Sequence, residues 1–178
     1  MPTEIVRDTT GGTYTLIRQA DPRTCGLAAV ATTMLARMSV CPVQGPTEAS
    51  LLAQAGGVIP DGGFRRSQLA QLLTLNNVAN TVATYNDTST FIPALKGNIK
   101  TRVPAILHVM RGGAGNYAGH WVTAVSTKDD ILIVLDPMYG LQEIDFAFLP
   151  GYPFVMRGRG QQGTAAGVVF SGQCIFTS

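Results

Sequence analysis

Charged residues make up only 13% of this 178-residue chain, and no run of Lys or Arg stands among them. The formal net charge is +2. There is neither a basic stripe nor a basic amphipathic stretch, so the sequence makes no electrostatic case for nucleic acid or a membrane surface as partner. Apolar runs are short, and none approaches the roughly 18 residues of a membrane span. The N-terminus, Met1-Pro-Thr-Glu-Ile-Val-Arg-Asp8, has no apolar h-region, so no Sec signal peptide is expected. Cysteines number three, which argues against a disulfide framework. No histidines and carboxylates have a zinc spacing and no Cys-x-x-Cys occurs, so neither metal nor cofactor is expected. The pairs Gly56-Gly57, Gly62-Gly63 and Gly112-Gly113 lack the Lys and Ser/Thr of a phosphate loop.

What is present suits one domain, residues 1–178, large enough to bury a core. The 20 glycines point to a sheet-rich protein with many tight turns. Residues 1–13 read as a flexible or strand-forming leader, and Tyr14 to Ile17 as a short strand. Asp21-Pro22 blocks helix, and Thr24 can cap a helix that starts after it. From there Leu27, Val30, Ala31, Met34, Leu35 and Met38 form a helical stripe, which places Cys25 in the first turn of a buried helix. Further helices are expected over 49–54, 65–76 and 91–100, and a strand over 81–85. After Val103 the pattern is sheet: 103–110, a hairpin of 120–126 with 131–135, then 143–148, 167–170 and 174–177. Residues 111–116 and 150–162 read as loops. Helices first and strands second predict an α+β domain with segregated halves.

Four residues in this order can make a site. A helix N-terminus presents unpaired N–H groups and about half a positive charge, which stabilises a thiolate and makes Cys25 a candidate nucleophile. The hairpin turn near Lys128 sets His120 opposite Asp136 or Pro137, where a carboxylate can fix the imidazole tautomer and free its other nitrogen for the thiol proton. The Gln19 amide can donate to a developing oxyanion together with the Cys25 N–H. Trp121 is expected to pack over the sheet and His108 to be structural. Cys41 and Cys174 read as ordinary thiols.

The pattern Gln19, five residues, Cys25-Gly-Leu-Ala28, then Gly119-His-Trp-Val122, then Asp136-Pro137 with a following Gly140 resembles the papain-like cysteine protease superfamily. The likeness is to its compact bacterial branch, which includes the double-glycine peptidase domains that trim bacteriocin leaders and small secreted effector proteases. The signature Cys-Gly-Ser-Cys-Trp of the plant and lysosomal enzymes is absent. The Cys25-to-His120 separation, 120 − 25 = 95 residues, is shorter than the roughly 130 of papain itself, and the third member is Asp. The resemblance implies a nucleophile helix packed on a C-terminal antiparallel sheet with the site in the cleft between. It implies Cys25 as nucleophile, His120 as general base and acid, Asp136 as orienter and Gln19 in the oxyanion hole. A cysteine endopeptidase acting on a protein or peptide is expected, with small residues such as Gly-Gly before the cut. By analogy, the chain would be made in the bacterial cytoplasm and delivered by a specialised secretion system, with a cognate immunity protein covering the cleft. The same triad also serves deamidases and acyl transferases, and a catalytically silent binding module would keep the fold. Gly11-Gly12 offers a self-processing point.

Overall fold

The computed structural model describes residues 2–38, 45–111, 118–148, 154–155, 164–165 and 168–178. The elements run β1 (Thr3–Arg7), β2 (Thr13–Ile17), α1 (Cys25–Arg37), α2 (Glu48–Gln54), α3 (Arg66–Leu75), β3 (Asn80–Thr84), α4 (Thr88–Asn98), β4 (Ala105–Arg111), β5 (Ala118–Lys128), β6 (Ile131–Asp136), β7 (Gly140–Asp145), a 3-10 turn (Phe146–Phe148), β8 (Phe154–Val155), β9 (Thr164–Ala165) and β10 (Val168–Thr177). The main sheet is antiparallel in the order β3-β10-β4-β5-β6-β7; α1 to α3 precede all six of its strands and α4 follows only β3, an α+β arrangement.

Helix α1 is buried far more completely than a single stripe demands. Every residue from Cys25 to Met34 is buried, while Met38, at the end of the expected stripe, is 42% exposed. A helix wrapped on all sides must satisfy its polar side chains internally. Thr32 Oγ1 accepts the Ile17 N–H at 3.1 Å, and Thr123 Oγ1 donates to the Ala29 carbonyl at 3.0 Å. Those two bonds tie α1 to β2 on one side and to β5 on the other. Its alanines keep the approach close.

Two clusters cover the two faces of the sheet. Leu27, Val30, Leu69 and Leu73 from α1 and α3 pack against Ile106, Trp121 and Ile175. Phe91, Leu95 and Ile99 of α4 pack against Leu107, Val109, Val122 and Val134, which alternate to the other side. The helices are therefore not all on one face. The start of α4 lies three residues before the expected one because Asp87 caps it, accepting the Thr90 N–H at 3.0 Å.

Three other expectations are refined. The leader is strand-forming: β1 pairs with β2 from Thr3↔Ile17 to Arg7↔Thr13. The two last strands are one strand with a register shift between Phe170 and Cys174. Gly172 sits in that shift at a φ of 76°, where any Cβ would collide with the Tyr85 carbonyl. The strand expected over 143–148 runs instead from Gly140 to Asp145, its start set by Gly140 at a φ of 93°. Cys41 and the Gly112–Asn116 stretch lie outside the described residues. Among the described residues no helix is long and apolar enough to cross a membrane.

Candidate active site

Cys25 is the first residue of α1 and is buried. The loop before it is a closed turn. Thr24 N–H and Thr24 Oγ1 both donate to the Asp21 carbonyl, at 3.0 and 2.9 Å, and Thr24 Oγ1 accepts the Asp21 N–H at 3.2 Å. Thr24 stands at the N-cap position, but its hydroxyl is taken by this loop and makes no cap bond. The expectation that it caps the helix is corrected: the Thr24 hydroxyl leaves the first-turn N–H groups uncapped by that residue, and their partial positive charge lies beside the thiol. Gly26 is required by packing. A Cβ there would lie 2.9 Å from Leu69 Cδ2 and 3.3 Å from Phe64 Cβ, so α3 could not come as close.

His120 and Asp136 meet, though not by the register expected. The β5–β6 ladder shifts between Ala124 and Ser126, and its last pair is Thr123↔Leu135. Asp136 is therefore level with Val122, and the two side chains meet diagonally. His120 Nε2–H donates to Asp136 Oδ1 at 2.9 Å. The same oxygen accepts the Met138 and Tyr139 N–H groups at 2.8 and 3.0 Å, which fixes the carboxylate at the head of a tight turn. Asp136 is fully buried. With Nε2 committed, Nδ1 is the nitrogen left for the Cys25 thiol, which is a side-chain hydrogen-bond partner of His120. Burial alone pushes the His120 imidazolium toward its neutral form. The bonds to Asp136 and Cys25 outweigh it and raise His120 to about 9.

Gln19 is anchored to the same turn, its N–H donating to the Pro137 carbonyl at 3.2 Å. Its Nε2 donates to the Asp21 carbonyl at 3.1 Å, which uses one of two amide hydrogens. Oε1 is buried with no partner among the described residues.

Cys25 opens onto a cleft of about 770 Å³, lined among others by Pro22, Phe64, Arg66, His108, Gly119 and Trp121. A second depression, formed by Gln19, Asp21 and Pro137–Tyr139, meets it at Pro22. Trp121 closes the cleft floor: its Nε1–H donates to the Phe64 carbonyl at 2.8 Å, joining the sheet to the loop before α3. Trp121, expected to pack over the sheet, thus also ties the two halves together. His108, expected to be structural, has its ring in the cleft lining, 4.6 Å from the Trp121 ring. Its Nδ1 bonds Ser171 Oγ at 2.8 Å. Burial, then the nearby charges of His120 and Arg66, push it below the usual imidazole value. The signal that could have found it is register: β4 lies beside β5, and His108 pairs with Trp121.

Cys174 lies in the sheet core, where burial pushes its thiol up to about 12. Gly11-Gly12 forms the β1–β2 turn, with Gly12 N–H donating to Asp8 Oδ1 at 2.7 Å and Asp8 N–H donating to the Gly12 carbonyl at 2.9 Å. Among the described residues no three His, Cys, Asp or Glu side chains cluster to hold a metal.

No family model matches the sequence, and no curated protein does. Solved structures do. The peptidase domain of Streptococcus ComA, a bifunctional ABC transporter of a quorum-sensing pathway, superposes with a TM-score of 0.62 over 92% of this chain and 96% of that one, at 16% identity. A double glycine motif protease from an AMS/PCAT transporter, solved with its leader peptide, gives 0.58 over 91% and 89% at 17% identity. A putative peptidase from Bacillus anthracis gives 0.52 over 98% of both chains at 14% identity. With the Cys25 helix laid on an antiparallel sheet and near-complete coverage of both partners, this chain has the papain-like fold of the double-glycine peptidase domains.

Proposed function

We propose that the protein is a cysteine peptidase in which Cys25 is the nucleophile, His120 the acid and base, Asp136 the orienter and Gln19 an oxyanion donor. The observation that carries this is His120, held between Asp136 and Cys25. A His120 at about 9 is an imidazolium at neutral pH and supports a thiolate beside it. The thiolate adds to a peptide carbonyl. The oxyanion takes the Cys25 N–H and the second Nε2 hydrogen of Gln19, which need not leave Asp21 to donate. As the C–N bond breaks, the imidazolium passes its Nδ1 proton to the leaving amine, and a thioester remains. His120 then takes a proton from the attacking water, and the acid product leaves with Cys25 again a thiolate beside an imidazolium.

The His108 and Trp121 rings, 4.6 Å apart, line the cleft that Cys25 opens onto, which supports small residues before the cut. A peptide ending its leader in Gly-Gly is the substrate to try first, since that motif is what the AMS/PCAT neighbour is named for. The test is cleavage of such a peptide, with intact-mass analysis after an epoxysuccinyl thiol inhibitor. One adduct on Cys25, lost in Cys25→Ala and strongly reduced in His120→Ala, is expected together with cleavage. Cleavage by Cys25→Ala at the wild-type rate refutes the assignment. An adduct with amide hydrolysis at a side chain, and no chain cleavage, converts it to a deamidase.

A further inference from the structure

Asp136 orients His120, so whatever fixes Asp136 fixes the imidazole. The carboxylate is held by the N–H groups of Met138 and Tyr139, and its aim is therefore set by the shape of the 136–140 turn. That turn is gripped from outside by Arg18. Arg18 Nη1 donates to the Met138 carbonyl at 3.1 Å, on the residue whose N–H reaches Asp136. The guanidinium lies flat against Gly140, where a Cβ would come within 3.1 Å of Nη2. Arg18 is itself aimed by Glu4 of β1: Nε and Nη2 both meet Glu4 Oε2 at 2.7 Å. Arg18 N–H closes the hairpin on the Pro2 carbonyl, and Gln19 N–H holds Pro137. A continuous chain of contacts thus runs from Glu4 through Arg18 to the turn, Asp136 and His120.

We propose that Arg18, steered by Glu4, is a positioning residue for His120, and that the N-terminal hairpin is the strap that keeps the triad carboxylate aimed. The proposal rests on the reading of His120 as acid and base, but its test does not need substrate. A partly exposed ion pair adds little to folding stability, whereas a small misplacement of a group that must align with a reacting atom costs far more in rate. The two readouts therefore separate.

The titratable groups facing His120 are Cys25 from α1, Asp136 from the end of β6 and His108 from β4. The chain has only two histidines, so both ring signals can be followed by NMR, with Asp136→Asn identifying His120. In Arg18→Met the His120 midpoint is expected to fall from about 9 toward 6.5. Alkylation of Cys25 by iodoacetamide at neutral pH is expected to slow about tenfold, with the thermal midpoint little changed. Arg18→Lys, which keeps a donor but not the fork, recovers part of both. Should Arg18→Met fail to fold, Glu4→Gln carries the same test with a smaller shift in the same direction. An unchanged His120 midpoint and alkylation rate in the folded variants overturn the proposal. A midpoint moved in Arg18→Met, alongside a wild-type protein that cleaves nothing, upholds the strap and removes the peptidase reading instead.

Discussion

His108 and His120 stand on neighbouring strands, the first half-buried and the second buried, and their protons are held in opposite ways. His108 bonds a hydroxyl, Ser171 Oγ, and burial pushes it below the usual imidazole value. His120 is more deeply buried, yet it rises to about 9. Burial penalises the cation at both sites, so the sign is decided by what stands opposite the ring. Asp136 faces one and a neutral Ser171 the other. Among the described thiols, Cys174 shows burial prevailing: its apolar surroundings push it up to about 12, whereas Cys25, also buried, stands at a helix start beside His120.

Asp136→Asn breaks the comparison most strongly, because it leaves His120 with a neutral acceptor, like His108. We expect kcat/KM to fall by about 10²-fold or more, the usual share of positioned acid–base catalysis. Under the proposed mechanism the His120 imidazolium is the active form, so we expect activity to be retained up to about pH 9 and lost above it, and in Asp136→Asn that alkaline limb to move down. Stability follows the same sign. A folded value of about 9, above the ordinary 6.5, contributes stability that is fully present below 6.5 and is lost as pH rises through about 9. Urea midpoints measured below and above this window should fall with pH in the wild type and change less in the variant.

His108→Phe sharpens the comparison from the other side. It removes the Nδ1 partner of Ser171 Oγ, which keeps its contacts to the His108 carbonyl and the Gln173 N–H, so the cost is about 1 kcal/mol. Because the ring lines the cleft and bonds Ser171, KM should move more than kcat, and the alkaline limb should stay near its wild-type position. A shift of that limb as large as in Asp136→Asn would make His108 part of the proton machinery. Smallest of all, Cys174→Ala should leave the rate of Cys25 alkylation unchanged, since Cys174 lies in the apolar cluster on the sheet face opposite Cys25.

The helices and the candidate triad were legible because they rest on local signals. Leu27, Val30, Ala31 and Met34 repeat at helical spacing, Leu69, Leu72 and Leu73 mark one face of α3, and Asp21-Pro22 with Cys25 announces a helix start. The His120–Asp136 pairing was readable from the hairpin, although the shift near Val125 turned an opposed pair into a diagonal one. That shift has no local signature, because a bulge is chosen by what the strand must pack against. The same holds for α4. Its apolar face was visible, but not that it would cover the sheet face opposite α1. The fusion of the last two strands at Gly172 also depends on Tyr85 from another strand edge.

By itself the sequence determined which residues could do chemistry and the order in which the elements form, since periodicity, turn residues and charge act over a few neighbours. Only the tertiary structure decided that Thr24 is spent on Asp21 rather than on the helix, that His108 lines the cleft, and that Arg18 reaches the Asp136 turn. Those outcomes depend on contacts between residues as much as 120 positions apart, as Arg18 and Met138 are. Such contacts exist only once burial has brought the N-terminal hairpin, the helices and the sheet together.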